Sequence, residues 1–351
     1  MGCGNSSLKN AYNPVRIDSS HFSFERTIGR GGFGIVLAVV KLSPPHQDQW
    51  FAVKILTKDS ILKTKSGPLS VFTELSAISE LESPFICNAH YAFQNPFNLY
   101  LILDICLGGD LRYNLNHASK KRFKVPRARF YVAQLVLALE YLHKNQFLHR
   151  DIKPDNMLLD SEGNMKLTDM GLSKRMGEED PDTCCSSTSG THGYMAPEIY
   201  CKGNKHGIPS EWFSVGVCLF EFVSGHRPYE SANIKACRNG DMDKCQQKRR
   251  RLKEGRFEQE VVGILNGLLT FRVRDRLRDV EEIKDNPFFA PIDWDQLEYG
   301  NVTPPFVPDI TQANFDTGEQ GIREAFGEVE EVDIAIAEED QERFKEYEFN
   351  T

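Results

Sequence analysis

The pattern of this chain changes once, near Gly109, and that change limits what it can fold into. Before it, "FSFERTIG", "GIVLAVV" and "WFAVKIL" are short runs of β type, separated by a glycine-rich turn at 29–34 and by "SPPHQDQ" at 43–49. "LSVFTELSAISELE" puts Val71, Leu75, Ile78 and Leu81 on one helical face, and "NLYLILDIC" returns to strand. After Gly109 the chain turns helical, with "RARFYVAQLVLALEYLHKN" and "EWFSVGVCLFEFVSG" as the strongest segments. Strands gathered in one part and helices in the next predict an α+β, bilobal fold. The expected organisation is a flexible arm at 1–20, a domain at 22–289 and a tail at 290–351. Within the domain, a β-rich lobe covers about 22–105 and a helical lobe about 106–289.

Composition removes several alternatives. The 351 residues are 40% hydrophobic and 26% charged, enough for a buried core in each lobe. A net charge of −8 speaks against a broad nucleic-acid-binding face. The nine cysteines form no CxxC pair, and no histidine cluster completes a zinc spacing, so reduced thiols are the simpler reading. The longest apolar run, "FSVGVCLFEFV", is too short to span a bilayer and carries Glu221.

"IGRGGFGIV" holds Gly29-x-Gly31-x-x-Gly34. A dinucleotide fold places a helix directly after such glycines. Here a strand follows, so the loop is a hairpin tip where backbone N–H groups can approach phosphate oxygens unobstructed. Val36 then lies over a flat base. On the third strand, Lys54 shares a face with Ala52 and Leu56, which suits a partly buried cleft. A buried ammonium needs an anion, and Glu74 on the following helix is the candidate.

"HRDIKPDN" at 149–156 and "DMG" at 169–171 supply the remaining polar groups. Phosphoryl transfer needs a base near the attacking hydroxyl and cations on the transferred phosphate. Asp151 fits the base and Lys153 the γ-phosphate charge. Asn156 and Asp169 fit Mg²⁺, which prefers oxygen ligands. A mere polar turn does not require all four residue types at this spacing.

With "GRGGFGIV", "AVK", "HRDIKPDN", "DMG" and "APE" at 196–198, the chain resembles the eukaryotic protein kinases from about Phe22 to Phe289. "HYAFQNPFNLYLILDICLGGDLRYNL", "GTHGYMAPE" and the tail "NPFFAPIDWDQLEYGNVTPPFVPDI" are most similar to the receptor-kinase branch of the AGC group. No segment resembles that branch's regulator-of-G-protein-signalling homology domain. The resemblance implies ATP and Mg²⁺ as cofactors and Ser/Thr of proteins as acceptors. It implies Leu103 as gatekeeper, adenine contacts from the backbone of Asp104 and Cys106, and a ribose contact from Asp110. Ile28, Ala52 and Leu158 complete the pocket. Met170 stands where most relatives have Phe. Its bulk and apolarity suit the same packing, so the metal ligand beside it is untouched.

The resemblance also implies regulation. Ser187 holds the usual phosphorylation position, Thr188 lies beside it, and Arg150 is the expected partner of a phosphate there, added by an upstream kinase. Thr191 is expected against Asp151 and Lys153, and Glu198 against Arg276. The tail is expected to wrap the small lobe, with Phe315 of "NFD" near the nucleotide. "FKEYEFN" resembles the AGC hydrophobic motif, with Phe344 and Tyr347 as anchors and Glu348 at the phosphorylatable position. Two departures stand out: Glu211 replaces the family Asp that holds the catalytic-loop backbone, and can reach similarly but is one methylene longer, which leaves room for some loosening; Asp155, an acid that binds substrate Arg in relatives of the cyclic-AMP-dependent kinase, predicts selection of basic substrate residues. At the N-terminus, "MGCGNSS" fits myristoylation of Gly2 and palmitoylation of Cys3, which predicts the cytoplasmic face of a membrane.

Three functions remain in contention. A Ser/Thr kinase leads. A pseudokinase scaffold would be expected to lack Lys54, Asp151, Asn156 or Asp169, and all are present. A small-molecule phosphotransferase does not need the "APE" segment or the AGC-type tail.

Overall fold

A computed structural model describes residues 17–31, 34–64, 66–201, 203, 205–230, 246, 249–250, 259–312, 314–315 and 336–350. Strands β1 (Phe22–Gly31), β2 (Gly34–Lys41), β3 (Trp50–Thr57), β4 (Ala89–Gln94) and β5 (Asn98–Leu103) form an antiparallel sheet in the order β1-β2-β3-β5-β4. The alternation on β3 sets its two faces. Phe51, Val53 and Ile55 enter a core with Leu37, Tyr100 and Ile102, while Ala52 and Leu56 face the core shared with the helical lobe. Gly34 is required by packing, because a Cβ there would sit 1.8 Å from the carbonyl oxygen of Ile55. β4 escaped the sequence reading, since His90 and Gln94 dilute the apolar signal of a six-residue strand.

Helix α1 (Lys58–Leu62) leads into α2 (Gly67–Ile78), which has a proline as its second residue and buries Val71, Leu75 and Ile78 on the predicted face. Leu81 is buried too, although the helix has already ended. The large lobe follows with α3 (Leu111–His117), α4 (Val125–Lys144), α5 (Pro197–Tyr200), α6 (Ile208–Ser224) and α7 (Gln259–Leu268). Every residue of α6 from Pro209 to Val223 is buried, and Gly225 ends the helix at φ +85°, a conformation that favours glycine. No described helix is long and apolar enough to cross a membrane.

The described C-terminal residues pack against the small lobe. Asn314 Nδ2 donates to the Leu107 carbonyl at 2.8 Å, and Arg26 donates to the Ile310 carbonyl at 3.3 Å. Farther on, Phe344 and Tyr347 are fully buried, and Gln94 Nε2 donates to the Phe344 carbonyl at 2.6 Å. Lys58 Nζ donates to Gln341 Oε1 at 2.7 Å with the Phe344 ring beneath it. Strand β10 (Phe349–Asn350) then pairs with β4, opposing Phe349 to Ala92, and completes a six-stranded sheet. These residues therefore belong structurally to the small lobe.

Phe344→Ala removes a buried ring from this dock, a loss of about 3–5 kcal/mol locally. The expected result is release of β10, read as faster exchange of the β4 amide that faces β10, with the amides facing β5 unchanged.

Candidate active site

The cleft between the lobes is built from five segments. β3 presents Lys54, and α2 presents Glu74 to it, with Nζ 2.7 Å from Oε1 and 2.8 Å from Oε2. Burial alone would push the Lys54 ammonium down, but Glu74 and Asp169 more than compensate and hold its pKa up, so it stays charged. A cavity of about 460 Å³ opens here, lined by Gly34, Val36, Lys54, Glu74, Asp151 and Asp169.

Two short antiparallel strand pairs frame the polar loops: β6 (Phe147–Leu148) with β9 (Lys174–Arg175), and the hairpin of β7 (Met157–Leu159) with β8 (Met165–Leu167). Arg150 and Asp169 both sit at left-handed backbone angles, φ +65° and +67°. Such angles cost non-glycine residues roughly 1–2 kcal/mol and persist only where the surroundings enforce them. At Arg150 the enforcement is visible. Its amide donates to Glu211 Oε1 at 2.7 Å, and the neighbouring His149 ring bonds the Thr168 carbonyl at 2.9 Å.

Glu211 reaches the loop backbone as the family Asp does, and it bonds a second partner as well. One oxygen takes the Arg150 amide and the other takes His143 Nε2 at 2.7 Å. The extra methylene is used to span both partners. Burial raises its pKa, yet the His143 hydrogen bond and charge win and hold it below the usual value. His143 lies 68 positions away from Glu211 and belongs to no motif, so nothing local pointed to it.

The Asp151 carboxylate is fully engaged. Oδ1 accepts from the Thr191 amide and hydroxyl at 2.8 and 2.7 Å; Oδ2 accepts from Lys153 Nζ at 2.7 Å and Asn156 Nδ2 at 3.2 Å. Lys153 also reaches Thr191 Oγ1 at 2.9 Å, so the expected Thr191 contacts are present. Burial pushes the Asp151 pKa up, but hydrogen bonds from Lys153 and Thr191 outweigh it and the net shift is downward. Met170 is 1% exposed within the core beside α2, as expected for the Phe it replaces. Ser70 Oγ ties α2 to the Gly171 carbonyl at 3.0 Å.

The other expected residues fall around the same cleft. Ala52 is the register partner of Leu103, and Asp110 bridges Leu158. Ile28, Cys106 and Phe315 line one small depression at the cleft edge. At Asp104 the amide donates to the Asn88 carbonyl at 2.9 Å, and the carboxylate is held by His90 and Lys166, both at 2.8 Å. Arg150 Nη1 meets Ser187 Oγ at 3.2 Å, whereas the Thr188 hydroxyl donates to the Ile199 carbonyl. Glu198 pairs with both terminal nitrogens of Arg276, at 2.6 and 2.9 Å. Glu348 is exposed between two docked aromatics. Gly31 ends β1 opposite Gly34, while the loop tip at 32–33, Gly2, Cys3 and most of the basic run at 244–256 lie outside the described residues.

A family model described as "Protein kinase domain" matches residues 22–289. Ribosomal protein S6 kinase 2 beta of Xenopus laevis is 36% identical over 312 residues, 86% of this chain and 47% of the relative. Beta-adrenergic receptor kinase 1 of Rattus norvegicus is 34% identical over 350 residues, 97% of this chain and 48% of the relative. The chain thus spans about half the length of these curated relatives. A probable serine/threonine-protein kinase of Dictyostelium discoideum is 36% identical over 307 residues, 86% of this chain and 64% of the relative. Both the AGC placement and the nearness to the receptor-kinase branch stand.

Two substitutions test the site. Glu211→Ala strands a buried amide and a histidine; unfolding free energy is expected to fall by about 1–3 kcal/mol in urea titration, with Glu211→Asp recovering part of it. Asp110 caps α3 through the Tyr113 amide, and burial raises its pKa to about 6. Its folded form therefore binds more protons than the unfolded chain between about pH 4 and 6, and its contribution to stability falls as pH rises through that window. Asp110→Asn is expected to flatten this slope when urea midpoints are compared at pH 4.5 and 7.

Proposed function

We propose, on the premise that this chain belongs to the protein kinase family, that it transfers the γ-phosphoryl group of ATP to Ser and Thr hydroxyls of proteins. The observation that carries the reading is the Asp151 carboxylate held by Lys153, Asn156 and Thr191 at 2.7–3.2 Å. Its lowered pKa keeps it ionised at neutral pH, ready to accept the acceptor's proton as the oxygen attacks. Lys153, 2.7 Å away, supplies positive charge next to that oxygen's path. Lys54, fixed by Glu74, is the cation for the nucleotide phosphates.

The residues present also fit Mg²⁺. Asn156 uses its Nδ2 on Asp151, which leaves Oδ1 as a ligand, and among the described residues no hydrogen bond engages the Asp169 carboxylate. No all-protein metal cage exists among the described residues, which suits a cation held by one or two side chains together with substrate phosphates. When bound, Mg²⁺ neutralises charge on the phosphate oxygens. A pseudokinase scaffold is disfavoured because the four polar groups are present and, for Asp151, Lys153 and Asn156, already hydrogen-bonded together.

Regulation follows from the same contacts. A phosphate on Ser187 would meet Arg150, which is already within 3.2 Å, and so order the activation segment. Glu348 carries a permanent charge at the hydrophobic-motif position. The "MGCGNSS" pattern supports acylation at Gly2 and Cys3 and attachment to a cytoplasmic membrane face, read by mass spectrometry of the N-terminal peptide.

The deciding experiment is phosphoryl transfer to a degenerate Ser/Thr peptide library with Mg²⁺. Asp151→Asn is expected to lose about 10²–10⁴-fold in rate while nucleotide affinity stays within a few fold. Wild-type protein that binds nucleotide but transfers nothing, even when phosphorylated at Ser187, would leave the scaffold.

A further inference from the structure

The second residue of α3, Arg112, lies where three other segments converge. Its Nη1 donates to Glu221 Oε1 at 2.9 Å and its Nη2 to Oε2 at 3.1 Å. Nη2 also donates to the Tyr194 hydroxyl, which in turn donates to Glu221 Oε2 at 2.6 Å. Nε lies 3.5 Å from Asp155 Oδ2. Glu221 comes from α6, Asp155 from the catalytic loop, and Tyr194 from the segment just before α5. The Glu221 side chain is 9% exposed and that of Asp155 45%.

The place of this cluster matters. Asp155 follows Asp151 by four residues, and Tyr194 follows Thr191, which is bonded to Asp151, by three. The loops that carry Asp151 and Thr191 thus continue within three or four residues into this cluster, which puts it in reach of residues flanking a hydroxyl held at Asp151, at about 3.3–3.6 Å per extended residue. Two carboxylates here, one exposed and one buried, would on their own recruit a basic side chain from the substrate. A guanidinium suits Glu221 best, because it binds a carboxylate with two parallel hydrogen bonds. Arg112 already makes those bonds.

We propose that Arg112 is a built-in cation that fills this acidic subsite, so that the protein does not select Arg or Lys beside its target hydroxyl. Arg112 is thus a specificity-determining residue, and the expectation drawn from Asp155 alone is reversed. The inference rests on the protein-kinase reading above, and its chemistry is that of a neutral or acidic peptide segment next to the acceptor Ser or Thr.

The test compares full-length wild type, Arg112→Ala and Arg112→Lys on peptides that differ only in Arg or Ala at positions flanking one Ser. Both Kd, by fluorescence anisotropy, and kcat/KM are measured. Wild type is expected to distinguish the peptides less than about threefold. Arg112→Ala is expected to favour an Arg-flanked peptide at least tenfold, through KM rather than kcat, and Asp155→Asn in that background is expected to reduce the gain. Arg112→Lys, which keeps a charge without the two-pronged geometry, should fall between. An unchanged Kd ratio in Arg112→Ala, or a wild type that itself favours Arg more than tenfold, overturns the proposal. The second outcome needs no variant to fold. The Kd ratios stand whether or not phosphate is transferred, so loss of transfer with the expected ratios would refute the kinase reading and leave the subsite intact.

Discussion

Helix α6 is buried along almost its whole length, yet it carries Ser210, Glu211, Ser214 and Glu221. Buried polar groups must find partners, and charged ones cost most when they do not. The partners come from loops. Glu211 takes the catalytic-loop amide of Arg150, Ser214 donates to the Tyr194 carbonyl at 2.9 Å, and Glu221 takes Arg112 and Tyr194. The polar cost of burying this helix is what fixes the loops around it. Glu198 and Arg276 extend the scheme, because Arg276 also donates to the carbonyl of Pro209 at the start of α6.

The small lobe is held to this frame at several points. Ser70 links α2 to Gly171, Leu167 exchanges backbone bonds with Phe85 and Cys87, and Lys166 reaches Asp104. Met170 supplies the apolar part of the same joint. Asp169 is positioned by backbone rather than by its side chain, with its left-handed φ set between the hairpin of β7 and β8 and the buried methionine after it. Rigid support beneath and few bonds to the carboxylate itself is an arrangement that leaves the oxygens available.

Much of this was legible in the sequence because it is local. The β3 alternation assigned Lys54 to the cleft, the run of 149–156 brought Asp151, Lys153 and Asn156 together, and the apolar spacing of α2 gave its buried face. Two kinds of feature were not legible. Short strands with polar members, such as β4, lack a clear period. Contacts between distant positions, such as His143 with Glu211 or Arg112 with Glu221, depend on how α4, α3 and α6 pack, and no single residue type announces them. The Glu at position 211 shows the same thing: its motif left open whether the extra methylene loosens the loop, and its two distant partners use that length.

The closing strand has a consequence for how the molecule is made. Gln94 and Phe344, which bond each other, are 250 positions apart, and β10 lies later still. On a ribosome the first five strands emerge long before their sixth, so the β4 edge stays open while the whole helical lobe is synthesised. An open edge is a template for unwanted pairing. The small lobe is thus the first part of the domain to be translated and the last to be finished, and its exposure to misassembly is set by the translation time of everything in between.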